Sequence, residues 1–274
     1  MLSQATTRRP TAAIAMIEPG AASPGIAIAR ALKVSPGTLE RVVGLASEED
    51  AARLRGADLG LWTLAGAPDP ALGGPFLERL RELQGRTPLD VLLAARGADV
   101  AALIPLVPEL ARMGIRTFLP TAPQLDVIQG AGRGSRPGNG VARTYVVAAV
   151  GDGAGGVAAA AALRRVAPQK ESQPWVGVAA QDAGLLDAVR GFFAWSSLRG
   201  AAELEVTRDG TGAYRVARVE PRLPAWVQLF ASYGPNLPGV LVQLALGQGV
   251  KPAMELPGGP LLVGAAWESW MSGG

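Results

Sequence analysis

The sequence predicts an α/β architecture in two parts: a doubly wound, Rossmann-like domain with a parallel sheet over residues 11–128, then a truncated α+β domain with antiparallel strands over residues 143–274. Three observations carry this. Near the N-terminus an unbroken apolar run is followed by a glycine-containing turn and a helix, as a parallel strand buried on both faces requires. The same alternation of strand and helix recurs through the first half. Beyond a glycine-rich stretch the pattern changes to two turn signals flanked by apolar residues, the mark of antiparallel hairpins.

The elements follow in order. Residues 1–10 read as a flexible tail. Its two arginines precede the apolar run Thr11 to Ile17, but the run is too short for a secretory leader and Glu18-Pro19 ends it. That run is the first strand, and IAIARALK (26–33) is the first helix. RVVGLA (41–46) reads as a second strand, FLERLRELQG (76–85) as an amphipathic helix, and LDVLLAA (89–95) as a third strand. VAALIPLVPELARMG (100–114) is helical but broken by two prolines, and IRTFLP (115–120) is expected as a short fourth strand. QGAGRGSRPGNG (129–140) has no apolar periodicity, so a linker over 129–142 separates the domains.

In the second half, 143–166 reads as two strands joined around Asp152-Gly153, although the alanine run 158–162 by itself favours helix. Asp182 heads a helix over 182–198. Residues 201–222 form a second hairpin turning at Arg208 to Gly212, and helices follow at Pro224 to Tyr233 and Pro238 to Leu246.

Composition narrows the chemistry. The 274 residues carry 26 basic and 23 acidic side chains, scattered rather than clustered, so neither nucleic acid nor a membrane surface is an expected partner. No apolar stretch approaches the ~20 residues of a membrane span, and a cytoplasmic location is expected. Cysteine and histidine are both absent, which excludes thiol nucleophiles, Ser-His-Asp triads, imidazole acid–base steps and Cys/His zinc sites. What remains is chemistry by carboxylates, Lys, Arg, Tyr, Ser or backbone amides.

The turn Pro19 to Gly25 lies where a helix N-terminus can hold a phosphate, with Ser23 and Gly25 as candidate contacts. It lacks both the full dinucleotide fingerprint and the lysine of a triphosphate loop. Ser23 as a helix cap with Pro24 in the first turn explains the same residues without a ligand.

The segment 216–250 resembles the closing segment of ATP-grasp ligases, in which a strand ends in Glu, any residue, Asn, Pro, Arg, and a subgroup continues with Pro-Ala-Trp and later Asn-Leu-Pro. Pro221-Arg222-Leu223-Pro224-Ala225-Trp226 and Asn236-Leu237-Pro238 match that subgroup. Upstream, 200–206 resembles the family's metal-binding strand, 164–178 its strand and loop around Trp-x-Gly-Val, and the first half its pre-ATP-grasp domain.

The resemblance implies Mg²⁺ and ATP as cofactors if ligase chemistry is retained, with Glu205 and Glu220 as metal ligands. It also implies Arg222 on the acyl phosphate and Arg164, Arg165 and Lys170 toward the phosphates. Two departures stand out. Arg218 occupies a position where the family has a glutamate, and Glu220 one where it has an asparagine. Only 129–142 stands where the family carries its central, lysine-bearing ATP-clamping subdomain.

Together these imply a degenerate ATP-grasp-like protein, a non-catalytic or auxiliary subunit. As an oligomer, homo- or hetero-, it would pair with an active, full-length paralogue. The alternatives are a minimal ATP-dependent carboxylate-amine ligase in peptide modification or coenzyme biosynthesis, and a small-molecule binding module using the glycine turn. Trp175 and Trp226 are expected as core or interface anchors, and Trp267, Trp270 and Met271 as an amphipathic end that docks on this chain or a partner.

Overall fold

A computed structural model describes residues 8–20, 23–34, 39–55, 63–131, 143–165, 176–254 and 262–264. Lys170, Trp175, Trp267, Trp270 and Met271 fall outside them. The first part is a four-stranded parallel sheet built from β1 (Thr11–Ala15), β2 (Arg41–Ala46), β3 (Thr63–Gly66) and β4 (Val91–Ala94), in the order β3-β2-β1-β4. Both faces are covered. Ala12, Ile14, Val42, Val91 and Leu93 join one core cluster, while Ala13, Val43, Leu45 and Leu92 join another with Phe76, Leu77 and Leu80 of helix α3 (Gly74–Gln84). This explains the continuous apolar runs, because alternate residues face two separate cores.

Helix α1 (Pro24–Lys33) packs into the first of these clusters through Ala27, Ile28 and Leu32. The expected broken helix is α4 (Gly97–Leu103), a 3-10 turn at Ile104–Leu106 and α5 (Val107–Arg112), interrupted where Pro105 and Pro108 withdraw amide donors.

Several expectations need correction. The first strand stops at Ala15, because Met16 adopts a left-handed backbone with φ of 49°. IRTFLP is not a strand: it forms a single parallel bridge, Val91 with Arg116, and then turns away to the second half, where Thr117 accepts a hydrogen bond from Arg199. Helix α2 (Glu48–Arg53), strand β3 and helix α6 (Ala122–Ala131) were among the elements not foreseen. Helix α6 runs into the stretch expected as linker. The helix expected from Pro224 to Tyr233 shrinks to α8 (Val227–Phe230).

The second part is a six-stranded antiparallel sheet in the order β10-β7-β6-β5-β8-β9. Its strands are β5 (Arg143–Asp152), β6 (Val157–Arg165), β7 (Val176–Ala179), β8 (Arg199–Arg208), β9 (Tyr214–Glu220) and β10 (Leu262–Gly264). The alanine run lies in β6, paired along its length with β5 on one side and bridged to Ala253 on the other, so pairing overrides alanine's helical preference. Small side chains suit the position. Helix α9 (Leu237–Ala245) contributes to the core over one face, and helix α7 (Ala183–Ser196) covers the other.

One core joins the two sheets. Val146, Ala148 and Val150 of β5 share a cluster with Ala12 and Ile14 of β1, with Leu223, Trp226 and Phe230 between them. Trp226 is 3% exposed and its ring meets Phe230 edge-on at 5.5 Å. It is a core anchor, as the sequence suggested. Asn236 fastens this layer: it caps α9 by accepting from the Gly239 amide at 3.0 Å and donates to the Ala31 carbonyl of α1 at 2.7 Å.

Candidate functional site

The face of the antiparallel sheet turned toward the joining core changes character at its β8–β9 end. Residues directly opposed in a ladder share a face. Val146 and Ala148 of β5 oppose Glu205 and Glu203 of β8, which in turn oppose Arg218 and Glu220 of β9. The apolar surface over β5 therefore continues as a charged one. Because side chains alternate, Leu204 and Val206 enter the opposite core, while Glu203 and Glu205 stand together.

Three guanidiniums meet these three carboxylates. Arg222, just past the end of β9, donates to Glu203 through Nη2 at 2.8 Å and to Glu220 through Nε at 3.1 Å. Arg218 pairs with the other oxygen of Glu220. Arg165 reaches across β5 to within 3.8 Å of Glu205. Burial pushes the Glu203 carboxyl above its ordinary pKa, and the neighbouring Arg222 works against that shift.

The sequence candidates are thus partly assembled. Glu205, Glu220, Arg222 and Arg165 come together. Arg164 does not, because it opposes Tyr145 on the other face, which packs on α7. Two consecutive strand residues cannot serve the same face. Lys170 lies outside the described residues. Glu203 belongs to the cluster and was not a sequence candidate. Its signal was present: two glutamates spaced by two in a strand share a face.

Ser23 and Gly25 lie elsewhere, at the start of α1. The Ser23 hydroxyl accepts from the Ile26 amide at 3.5 Å and is largely buried. A Cβ on Gly25 would come within 2.9 Å of the Ile17 side chain and 3.3 Å of Ala95, so glycine there lets α1 approach the ends of β1 and β4. Both residues have full structural employment at these positions.

A second charged group borders the first. Gly97 opens α4 beyond the end of β4, and a Cβ there would be 3.8 Å from Pro221, between Glu220 and Arg222. The adjacent Arg96 holds Asp99 at 2.9 Å, Glu18 at 2.7 Å and Asp69 at 3.0 Å, joining the ends of β1, β3 and β4. Asp99 is fully buried, and burial raises its pKa while Arg96 opposes the shift.

No protein-family model matches this chain, and no curated protein matches it by sequence. Solved structures do match by shape. An L-amino acid ligase from Bacillus licheniformis superposes with a TM-score of 0.53 at 14% identity, over 88% of this chain and 75% of the ligase. A biotin carboxylase from Campylobacter jejuni, in complex with an ATP analogue, gives 0.56 at 12%, over 88% and 72%. N5-carboxyaminoimidazole synthetase from Staphylococcus aureus, complexed with ADP, gives 0.56 at 12%, over 93% and 82%. This chain has the fold of the ATP-grasp ligases. At these identities the match establishes architecture, a ligase-like scaffold of parallel and antiparallel sheets, and leaves chemistry to the residues.

The donor set decides whether Mg²⁺ suits this face. Mg²⁺ demands oxygen ligands in near-octahedral geometry. Here the carboxylates of Glu203 and Glu220 are hydrogen-bonded to arginine, and Glu205 has Arg165 within ion-pair distance. Among the described residues no group of three or more acidic side chains is arranged to hold a metal ion. Arg218 stands directly opposite Glu205 in the ladder. A cation between them would meet repulsion from about 1 kcal/mol per unit of its charge in bulk water to about 4 kcal/mol where water is partly excluded. As arranged, these residues do not fit a divalent ion.

Proposed function

We propose that this chain is an ATP-grasp-like scaffold without ligase chemistry of its own, acting as an auxiliary subunit beside an active ligase. The observation that carries the reading is the matching of three arginines to three carboxylates on the β8–β9 face. A minimal carboxylate-amine ligase would need Glu205 and Glu220 free to bind Mg²⁺ and bridge it to nucleotide. Both instead face guanidiniums, and the arginine that would serve an acyl phosphate, Arg222, is engaged by Glu203 and Glu220.

The loss of chemistry has a companion in the chain path. Helix α6 ends at Ala131 and β5 begins at Arg143, so a short connection stands where ATP-grasp ligases place their clamp. Retention of the rest of the fold, with a well-packed joining core, is what a scaffold held for its surfaces requires.

Isothermal titration of the purified chain with ATP, with and without Mg²⁺, tests the reading. The expected result is no Mg²⁺-dependent heat of binding. Tight, Mg²⁺-dependent ATP binding by the isolated chain would overturn it. The subunit role predicts in addition that a full-length ATP-grasp paralogue from the same genome co-elutes with this chain on size exclusion at micromolar concentration.

A further inference from the structure

We propose that the open cleft at the carboxyl ends of β1, β2 and β3 is a binding site for a small organic cation, an ammonium- or guanidinium-bearing metabolite, with Glu48 as its counter-ion. This site is separate from the β8–β9 face and independent of the function proposed above. The cleft has a volume of about 610 Å³ and is lined by Met16 after β1, Ser47, Glu48 and Asp50 after β2, and Gly66 to Asp69 at the end of β3, with Arg79 and Arg96 at its sides. Its place follows the rule for open parallel sheets, in which ligands bind beyond the carboxyl ends of the strands. Its size is that of small-molecule sites.

The charges in and around the cleft say which ligand fits. Both arginines are committed. Arg79 donates to the Gly66 carbonyl at 2.7 Å and pairs with Glu82 at 2.7 Å, and Arg96 is surrounded by Asp99, Glu18 and Asp69. Two of the lining acids are committed as well. Asp50 takes the Ser47 hydroxyl at 2.9 Å, and Asp69 takes Arg96 and the Ala71 amide.

Glu48 differs. Its side chain makes no hydrogen bond or ion pair among the described residues, and it lies against the backbone of Gly66, where a Cβ would fall on its carboxylate. The unspent charge in the cleft is therefore negative. The excess of carboxylates over guanidiniums around the cleft adds to the same field. The acids do not converge as metal ligands do, so the field suits a delocalised or tethered organic cation rather than a bare metal ion. The apolar lining of Met16, Ala67 and Pro68 would cover the hydrocarbon part of such a ligand.

Gly66 supplies an unusual control. It sits at the end of β3 with an ordinary negative φ, and the three atoms nearest to a new Cβ all belong to the flexible end of Glu48. Gly66→Ala therefore displaces the carboxylate while leaving the sheet in place. The test is isothermal titration of the full chain with agmatine and with cadaverine, and with adenosine as an uncharged probe, at low and high salt.

The expected result is saturable binding of the cations that weakens with salt and falls tenfold or more in Glu48→Gln and in Gly66→Ala, while both variants melt at the wild-type temperature. Three results would overturn the proposal: no saturable binding of either cation at millimolar concentration, equal affinity in Glu48→Gln, or saturable binding of adenosine alone. If Glu48→Gln melted lower, Gly66→Ala, which keeps every native side chain, would decide the matter by the same criterion.

Discussion

Two charged regions of this molecule lie side by side and are built on opposite principles. On the β8–β9 face, three carboxylates are matched by three guanidiniums, brought together by the β8–β9 ladder, the turn after β9 and the neighbouring β6. At the carboxyl ends of the parallel strands, carboxylates outnumber guanidiniums, and Glu48 is left without a partner among the described residues. The difference teaches where to look for ligands. A matched network is closed to further ions because each new contact must break an existing one, whereas an unmatched one has affinity to spare.

Both regions rest on the core that joins the sheets, so the largest expected effect comes from breaking that core. Trp226→Ala removes a buried aromatic packed on Phe230 between the two sheets and should cost about 3–5 kcal/mol, read by chemical denaturation. If the variant lost only one of two unfolding transitions, the two regions would rest on separate cores and the comparison would need redrawing.

Next in size is Asp99→Ala. It removes the fully buried partner of Arg96, and Glu18 and Asp69 remain to hold the guanidinium. A loss of roughly 3 kcal/mol is expected, at the lower edge of what breaking a buried pair costs. Asn236→Ala, which deletes the α9 cap and the bond to Ala31, should cost about 1 kcal/mol by thermal melting.

The smallest effect is a pH dependence on the matched face. The Glu203 carboxyl has a folded pKa above its ordinary value of 4.5, chiefly from burial. Its protonated form is therefore favoured by folding, and the stability it contributes is present below pH 4.5 and lost as pH rises through the raised folded value. Glu203→Gln should flatten that part of the stability profile, so that the wild type loses ground relative to the variant between pH 4 and neutrality. A steeper profile in the variant would mean that Arg222 outweighs burial.

How much of this was legible in the sequence follows from the kind of signal each element carries. The continuous apolar runs of β1 and β2, the capped start of α7 at Asp182 and the hairpins at Asp152-Gly153 and Asp209-Gly210 announce themselves locally, and the structure places them there. Strand β3 and helix α2 do not. Thr63–Gly66 is four residues, Thr-Leu-Ala-Gly, too short to show a period, and α2 is a short acidic helix whose only buried residue is Ala51. IRTFLP reads as a strand by propensity, yet it departs toward Arg199, a contact 82 residues away in the chain.

The candidate site divides in the same way. Glu205, Glu220 and Arg222 were marked by resemblance to a motif. Arg164 was separated from Arg165 by strand alternation, which the sequence already implied once β6 was taken as a strand. Glu203 needed the ladder register, since only the pairing of β8 with β9 sets it opposite Glu220. The cleft beyond β1 to β3 was not legible at all: it depends on β3, the strand that left no pattern, and the glycine turn that drew attention instead is occupied by helix capping and close packing.

The central claim is that the β8–β9 face is closed to divalent cations because arginines have taken the carboxylates. The most direct measurement is a Mn²⁺ titration followed by electron paramagnetic resonance, on the wild type and on Arg218→Glu. The account predicts no saturable Mn²⁺ binding by the wild type at up to millimolar ion, and a new site in Arg218→Glu, where Glu205 and Glu220 gain a further carboxylate in place of the guanidinium. Tight Mn²⁺ binding by the wild type, lost on Glu205→Gln, would contradict it.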